Sequence, residues 1–126
     1  FQRALDMVPS PSNGLLFCQG CYTEMLGRGV LDAIRHFGSQ AKVYYVHFRN
    51  VRVERPRYRY IETFIDDGDC DMAACVEALH EVGYRGMIDP DHTPAITDDT
   101  MDTRAGWAFA IGQMLALRNA VEAGTF

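Results

Sequence analysis

Three side chains of types that commonly bind metal ions each follow a predicted strand of this chain. Cys18, His47 and Asp91 lie at or just beyond the carboxyl-terminal ends of three successive predicted strands. In an α/β barrel these strand ends converge on one face, where residues distant in sequence can surround a single ion. A thiolate, an imidazole and a carboxylate together suit a borderline divalent metal such as manganese, iron or zinc. The positions therefore predict a metal site.

Taken singly, each of these residues also has an ordinary structural interpretation. Cys18 is compatible with a small buried apolar residue. His47 is compatible with a core histidine that has hydrogen-bond partners. Asp91, within the sequence Pro90-Asp-His-Thr-Pro94, is compatible with a residue that shapes a turn. The shared position of the three at strand ends is what favours a site.

The other cysteines offer a second interpretation of the same region. Cys18-Gln-Gly-Cys21 has the spacing of a zinc knuckle or a redox motif, but Cys70 and Cys75 lack the spacing of a zinc ribbon. A thioredoxin-like motif should begin a helix, whereas we expect Cys18 to end a strand and a loop to continue to Gly27. With no secretion signal, we expect reduced thiols and no functional role for the cysteines other than Cys18.

Composition limits the classes of protein. The 126 residues, 48% of them hydrophobic, suffice for one core, so we predict a single domain over residues 1–126, with residues 1–13 forming the end of a helix and a linker. A net charge of −5 and the lack of a basic face argue against a nucleic-acid partner. No apolar run approaches the roughly 20 residues of a membrane span, and the opening lacks signal-peptide features, so we predict a cytoplasmic protein.

Strand and helix patterns alternate three times along the chain. The first unit is a buried strand Gly14–Cys18 and a helix Gly29–Phe37 closing on Gly38; the second is a strand Lys42–Phe48 buried on both faces, a polar Arg-rich loop, and a helix capped by Asp69 and ending at Gly83. The third is a strand Gly86–Asp89, a loop 90–103 and a final helix Arg104–Val121. The predicted apolar face of this last helix consists of Trp107, Ile111, Met114, Leu115 and Leu117. This order predicts an α/β fold with parallel strands and right-handed crossovers. Both an open doubly wound sheet and part of a barrel fit it. No glycine-rich phosphate loop supports dinucleotide binding.

A linked set of short motifs resembles a known enzyme family. The motifs are Asn13-Gly-Leu-Leu-Phe-Cys-Gln-Gly20, Tyr45-Val-His-Phe-Arg-Asn-Val51, Glu62-Thr-Phe, Asp67-Gly-Asp69, Asp71-Met72 and Pro90-Asp-His92. In order and spacing they resemble the C-terminal portion of the D-mannonate dehydratase family. The resemblance implies a partial (β/α) TIM barrel of the xylose-isomerase-like type, with about three C-terminal strand-helix units.

The resemblance also implies an activity and a cofactor. The expected enzyme is a lyase that dehydrates D-mannonate to 2-keto-3-deoxy-D-gluconate in hexuronate catabolism, using Mn²⁺ or Fe²⁺. Cys18, His47 and Asp91 match the metal-binding positions of the family. His92 matches a proposed acid–base residue, and a histidine moves protons readily near neutral pH.

Substrate contacts are predicted from chemistry beside the metal positions. Arg49 is expected to form a bidentate pair with the sugar-acid carboxylate, and Asn50 to bind the substrate as well. An alternative for Arg49 is a salt bridge to Glu62 or to an acidic residue of a loop.

The chain departs from the family pattern at three places. Ile65 stands where a histidine is expected, and Asp89 where an arginine is expected. The catalytic tyrosine has no clear match, although Trp107 is one candidate position. The family site also takes a histidine from an upstream strand that this chain lacks, and a sheet with bare edges predicts a homo-oligomer.

Two other functions remain open from the sequence. A sugar isomerase or epimerase on the same barrel would also place ligands at strand ends, although such sites commonly use carboxylates where this chain has Cys18. A non-catalytic, truncated barrel that only associates through its exposed faces is the other alternative.

Overall fold

The computed structural model describes residues 1–54, 59–99 and 102–125. The helices are α1 (Gln2–Met7), α2 (Gln19–Leu26), α3 (Val30–Ser39), α4 (Met72–Glu81) and α5 (Arg104–Glu122), with a short 3₁₀ turn at Gly27–Gly29. The strands are β1 (Leu15–Cys18), β2 (Val43–His47), β3 (Asn50–Glu54), β4 (Arg59–Thr63) and β5 (Met87–Asp89). In the described part of the chain, no helix is both long enough and apolar enough to cross a membrane.

The three predicted strands form one parallel sheet in the order β1-β2-β5. Its register pairs Cys18 with His47 and His47 with Asp89. The predicted α/β fold with parallel strands is therefore confirmed. The register also explains why side chains from distant parts of the sequence meet at one end of the sheet.

The helices bury one face of the sheet. Phe17 and Val46 are fully buried, and together with Ile34 of α3 they belong to a core that continues into α4 and α5. On the opposite face, Leu16 of β1 is 54% exposed and Met87 of β5 is 65% exposed. In β2, Tyr44 is 43% exposed. The prediction that β1 and β2 are buried on both faces is wrong for the described chain, because continuous apolar strands indicate two-sided burial only when both layers are present.

Two predicted helix boundaries differ from the structure. α3 continues through Gly38 to Ser39, and the absence of a side chain at Gly38 lets Val82 approach where a Cβ would lie 2.5 Å from it. α4 is capped by Asp71, whose carboxylate accepts from Ala74 N at 3.0 Å. Asp69 instead accepts from the backbone of β3.

A β-hairpin replaces the predicted Arg-rich loop after β2. β3 and β4 pair antiparallel, from Asn50 opposite Thr63 to Glu54 opposite Arg59. Residues 55–58 of the predicted loop lie outside the described residues. The alternation of Val51 and Val53 with polar neighbours suits a strand with one buried face, and the high content of arginine concealed that signal.

The last helix has the predicted extent but only part of the predicted apolar face. Met114 and Leu117 pack against the core, as expected. Ile111 and Leu115 are 46% and 45% exposed. Gly106 of α5 is buried, and it packs so closely that a Cβ at this position would lie 2.5 Å from Thr93 Oγ1.

Candidate metal and acid–base site

The three predicted metal ligands come together at the carboxyl-terminal end of the sheet. One donor atom each of Cys18, His47 and Asp91 lies within 4.8 Å of the other two. His47 Nδ1 is 3.2 Å from Asp91 Oδ2. Donors that share a metal at about 2.0–2.3 Å lie no more than about 4.5 Å apart, so the observed set needs only small movements to share one ion. These residues therefore fit a divalent metal in both type and spacing.

Asp91 is aimed at the other two donors by an unusual turn. Its φ of 64° is in the left-handed region, which aspartate tolerates better than most residues. Its backbone N–H donates to Asp89 Oδ1 at 2.6 Å, while Asp89 Oδ2 accepts from the Tyr45 hydroxyl. Asp89, where the family pattern leads us to expect arginine, thus fixes the turn that carries Asp91.

Arg49 is a buried cation that connects the metal donors to two acids. Its side chain is 5% exposed. Nε donates to Cys18 Sγ at 3.2 Å and lies 3.7 Å from Asp91 Oδ2. Nη2 donates to Glu24 at 2.9 Å and Nη1 donates to Glu62. The salt bridge to Glu62, the alternative raised by the sequence, is therefore formed, and the substrate-binding role of Arg49 stays a prediction.

The position of the guanidinium depends on a glycine of α2. A Cβ at Gly20 would lie 2.4 Å from Arg49 Cζ, so only glycine leaves room for the cation to lie against the first turn of this helix. The arginine is thereby held over the start of α2.

α2 itself contradicts the expected loop between Cys18 and Gly27. The helix begins directly after Cys18, which is its N-cap residue, and it ends before Gly27, whose φ is 58°. It brings Cys21 and Glu24 to Arg49, at 3.3 Å and 2.9 Å from Nη2. A helix was not expected here because glycine, present at position 20, is a weak helix former. In the structure, Gly20 lies in the first turn of α2, where the absence of a side chain leaves room for Arg49.

His92, the predicted acid–base residue, lies between two carboxylates at the edge of the site. Its Nε2 is 3.2 Å from Asp91 Oδ2 and its Nδ1 is 3.5 Å from Glu62 Oε2. The imidazole is half exposed, so a small molecule can reach it. From the sequence, Glu62 was expected only as an alternative partner of Arg49, because β4 was taken for a loop; the available signal for its contact with His92 was the Glu62-Thr-Phe motif.

Asn50 makes its hydrogen bonds to backbone groups of β3 and of the segment after β4. Its Nδ2 donates to the carbonyls of Ile65 and Cys70, and its Oδ1 accepts from the backbone N–H groups of Val51 and Cys70. The side chain is buried and saturated with hydrogen bonds to backbone. It holds the segment after β4 against β3, and its predicted contact with substrate stays a prediction.

Burial and charge alter two proton affinities in the cluster. Burial raises the pKa of the Cys18 thiol above its ordinary value, although the contact with Arg49 acts in the opposite direction. Burial also raises the pKa of Glu62, against the lowering effects of Arg49 and His92. Glu62 Oε2 is buried without a hydrogen bond, which leaves one acceptor facing His92.

The two remaining departures from the family pattern lie in different surroundings. Ile65 is buried in the core at 4% exposure. Trp107 lines a cavity of about 400 Å³ together with Asp89 and Pro90. Trp107 is therefore near the turn that carries Asp91, whereas the Ile65 side chain contributes to packing.

These features define an α/β protein with a candidate metal centre at the carboxyl ends of parallel strands. The family model of D-mannonate dehydratase (UxuA) matches residues 1–123. The chain therefore belongs to the D-mannonate dehydratase family.

Relatives and solved structures agree with this assignment. The chain is 39% identical over 100 residues to mannonate dehydratase of Enterococcus faecalis, covering 78% of this chain and 27% of the relative. It is 30% identical over 92 residues to mannonate dehydratase 2 of Halalkalibacterium halodurans, covering 72% and 27%. The crystal structure of mannonate dehydratase from Streptococcus suis serotype 2 superposes with a TM-score of 0.77 at 26% identity, covering 96% of this chain and 37% of that one.

A more distant structure supports the fold. A xylose isomerase domain protein from Planctomyces limnophilus has a TM-score of 0.73 at 22% identity, covering 97% of this chain and 43% of that one. The chain thus spans about a quarter of the length of the curated relatives named above, 27% in each case.

Proposed function

We propose that this chain forms the metal-binding part of a D-mannonate dehydratase, and that its three parallel strands are part of a (β/α) barrel. The observation that carries the proposal is the convergence of Cys18, His47 and Asp91, with donor atoms within 4.8 Å of one another. Mn²⁺ or Fe²⁺ is the proposed ion, held by these three residues. Such an ion supplies Lewis acidity that polarises substrate oxygens.

The residues of the chain then account for the proton movements of a dehydration. The reaction removes the proton α to the carboxylate and expels the hydroxyl on the neighbouring carbon as water. His92 is the proposed proton carrier, because its half-exposed imidazole borders the metal donors; it would accept the α proton and deliver a proton to the departing hydroxyl. Asp91 and Glu62, on either side of it, orient the ring. The product enol tautomerises to 2-keto-3-deoxy-D-gluconate.

Arg49 has a proposed second role in this site. Its guanidinium already donates to two thiols and two carboxylates. It would therefore act on a sugar acid mainly by long-range electrostatic attraction. We propose that it keeps Cys18 in place and attracts the anionic substrate to the cleft.

The test combines metal analysis with product formation. The purified full chain is loaded with Mn²⁺ or Fe²⁺, its bound metal is quantified, and the keto acid formed from D-mannonate is measured. We expect His92→Gln to keep the metal and lower the turnover about 10²- to 10⁴-fold, whereas Asp91→Asn loses the metal. His80→Gln, an exposed position at the end of α4, is the matched control and should change neither.

Three outcomes separate the functions. Bound metal with keto acid supports the lyase. Bound metal with interconversion of an aldose and a ketose instead supports an isomerase. No metal and no product contradicts the proposal and leaves a chain that only associates with other chains.

A further inference from the structure

Two thiols lie next to each other beneath the guanidinium of Arg49. Its Nε donates to Cys18 Sγ at 3.2 Å and its Nη2 donates to Cys21 Sγ at 3.3 Å. Because both nitrogens are bonded to the same carbon, the two sulfurs are held side by side.

The start of α2 explains this proximity. Cys18 is the N-cap residue and Cys21 is the third residue of the helix. Side chains at these two positions face each other, as they do in a reciprocal capping box. A Cys-x-x-Cys sequence at the start of a helix is also the arrangement of thiol–disulfide enzymes. A loop from Cys18 to Gly27 would not suit a redox pair, but residues Gln19–Leu26 form a helix that begins directly after Cys18.

We propose that Cys18 and Cys21 form a redox-active dithiol, and that its oxidation by a hydroperoxide removes Cys18 from the metal donors. The existence of the dithiol follows from the geometry of α2 and Arg49. Its effect on metal binding rests on the proposed function. A sulfur in a disulfide is no longer a thiolate and does not bind the metal. Conversely, a metal ion bound to Cys18 should slow the oxidation, because it occupies the thiolate.

The reaction is balanced with one hydroperoxide. Cys21 is exposed, whereas Cys18 is only partly accessible, so the Cys21 sulfur attacks the peroxide. The O–O bond breaks, giving a sulfenic acid and, from hydrogen peroxide, one water. The Cys18 sulfur then attacks Cys21, the S–S bond forms, and the departing hydroxide takes the Cys18 proton to give a second water. Two electrons from the sulfurs reduce the peroxide.

The other cysteine pair provides an internal comparison. Cys70 Sγ and Cys75 Sγ are 3.4 Å apart, but both residues are buried, at 6% and 0% exposure. The two pairs therefore differ in their access to a dissolved peroxide. If exposure of Cys21 controls the reaction, this buried pair should react far more slowly.

Peptide mapping tests the dithiol directly. The reduced, metal-free full chain is treated with hydrogen peroxide, alkylated with iodoacetamide and digested with trypsin, which leaves each cysteine pair in its own peptide, residues 4–28 and 60–85. We expect peptide 4–28 to lack both alkyl groups and two hydrogen atoms, while peptide 60–85 keeps both alkyl groups. Cys21→Ser should form no disulfide in peptide 4–28, and its hydroxyl can still accept from Arg49.

A Mn²⁺ titration tests the consequence for the metal. Oxidation should weaken Mn²⁺ binding by at least about tenfold, and a phosphine reductant should restore it. In Cys21→Ser, Mn²⁺ binding before oxidation should match that of the unaltered chain.

The outcomes distinguish this inference from the proposed function. A reduced chain that binds Mn²⁺ but stays alkylated at both positions after peroxide treatment overturns the dithiol and leaves the metal site standing. A chain that forms the disulfide but binds no Mn²⁺ when reduced overturns the metal site, and with it the second half of the inference.

Discussion

Replacing Arg49 by methionine should be costly because it leaves two acids without their cation. Glu24 and Glu62 both contact the guanidinium, and their side chains are 23% and 25% exposed. Removing one member of a fully buried ion pair costs about 3–5 kcal/mol. Because the acids keep some contact with solvent, we expect the free energy of unfolding to fall by about 3 kcal/mol, measured by urea denaturation at pH 7 without metal.

An exposed pair provides the matched control. Arg52 bonds Asp67 at 2.7 Å, but these side chains are 52% and 67% exposed. Exposed pairs of this kind contribute about 0–1 kcal/mol. Arg52→Met removes the same chemical group from the hairpin next to the site, so we expect it to change the unfolding free energy by less than about 1 kcal/mol.

The loss in Arg49→Met should also depend on pH in a defined direction. The pKa of Glu62 is already raised by burial, and Arg49 opposes that rise, so the variant should raise it further. A carboxyl whose pKa is higher in the folded than in the unfolded state binds protons more tightly when folded. The variant should therefore regain stability as pH falls from the folded towards the unfolded pKa. A loss below about 1 kcal/mol at pH 7, or one that is constant down to acidic pH, would refute this reasoning.

Three further results are expected. Asp71→Ala removes the side-chain cap of α4 and should lower the unfolding free energy by about 1 kcal/mol, whereas Asp71→Asn, which keeps a capping oxygen, should cost less; equal losses would contradict the capping role. Gly20→Ala should displace Arg49 and cost about 1–3 kcal/mol, while Gly112→Ala, with nothing within 4 Å of its Cβ, should be neutral or stabilising; the reverse order would count against the described packing. Because burial raises the pKa of the Cys18 thiol, Mn²⁺ must displace its proton, and affinity should fall about tenfold per unit of pH lowered below neutrality; affinity independent of pH would argue against thiolate binding.

The position of the metal donors could be predicted because it follows from the topology of the sheet. Parallel strands in register place their carboxyl ends together, so Cys18 and His47 become neighbours once the strands are recognised. Asp91 lies two residues beyond β5, and its direction comes from a turn with positive φ that only the structure displays. The meeting of the strand ends at one edge of a parallel sheet was predictable from sequence, whereas the strand order and the direction of the Asp91 side chain were not.

The surroundings of the donors were harder to predict because they depend on two missed elements. Glu62 reaches Arg49 only because β3 and β4 form a hairpin that folds back on the sheet end. Cys21 reaches it only because α2 begins immediately after β1. Short segments rich in arginine or containing glycine have weak local preferences, and contacts with the rest of the fold decide their structure.

Cobalt binding monitored by absorption spectroscopy tests the proposed metal site most directly. Co²⁺ bound to a thiolate gives a charge-transfer band in the near ultraviolet, so the band reports the ligand as well as the binding. We predict that Co²⁺ added to the reduced chain produces this band, that Cys18→Ser abolishes it, and that Cys21→Ser retains it. A chain that develops no band, or a band that survives in Cys18→Ser, would contradict the metal site formed by Cys18, His47 and Asp91.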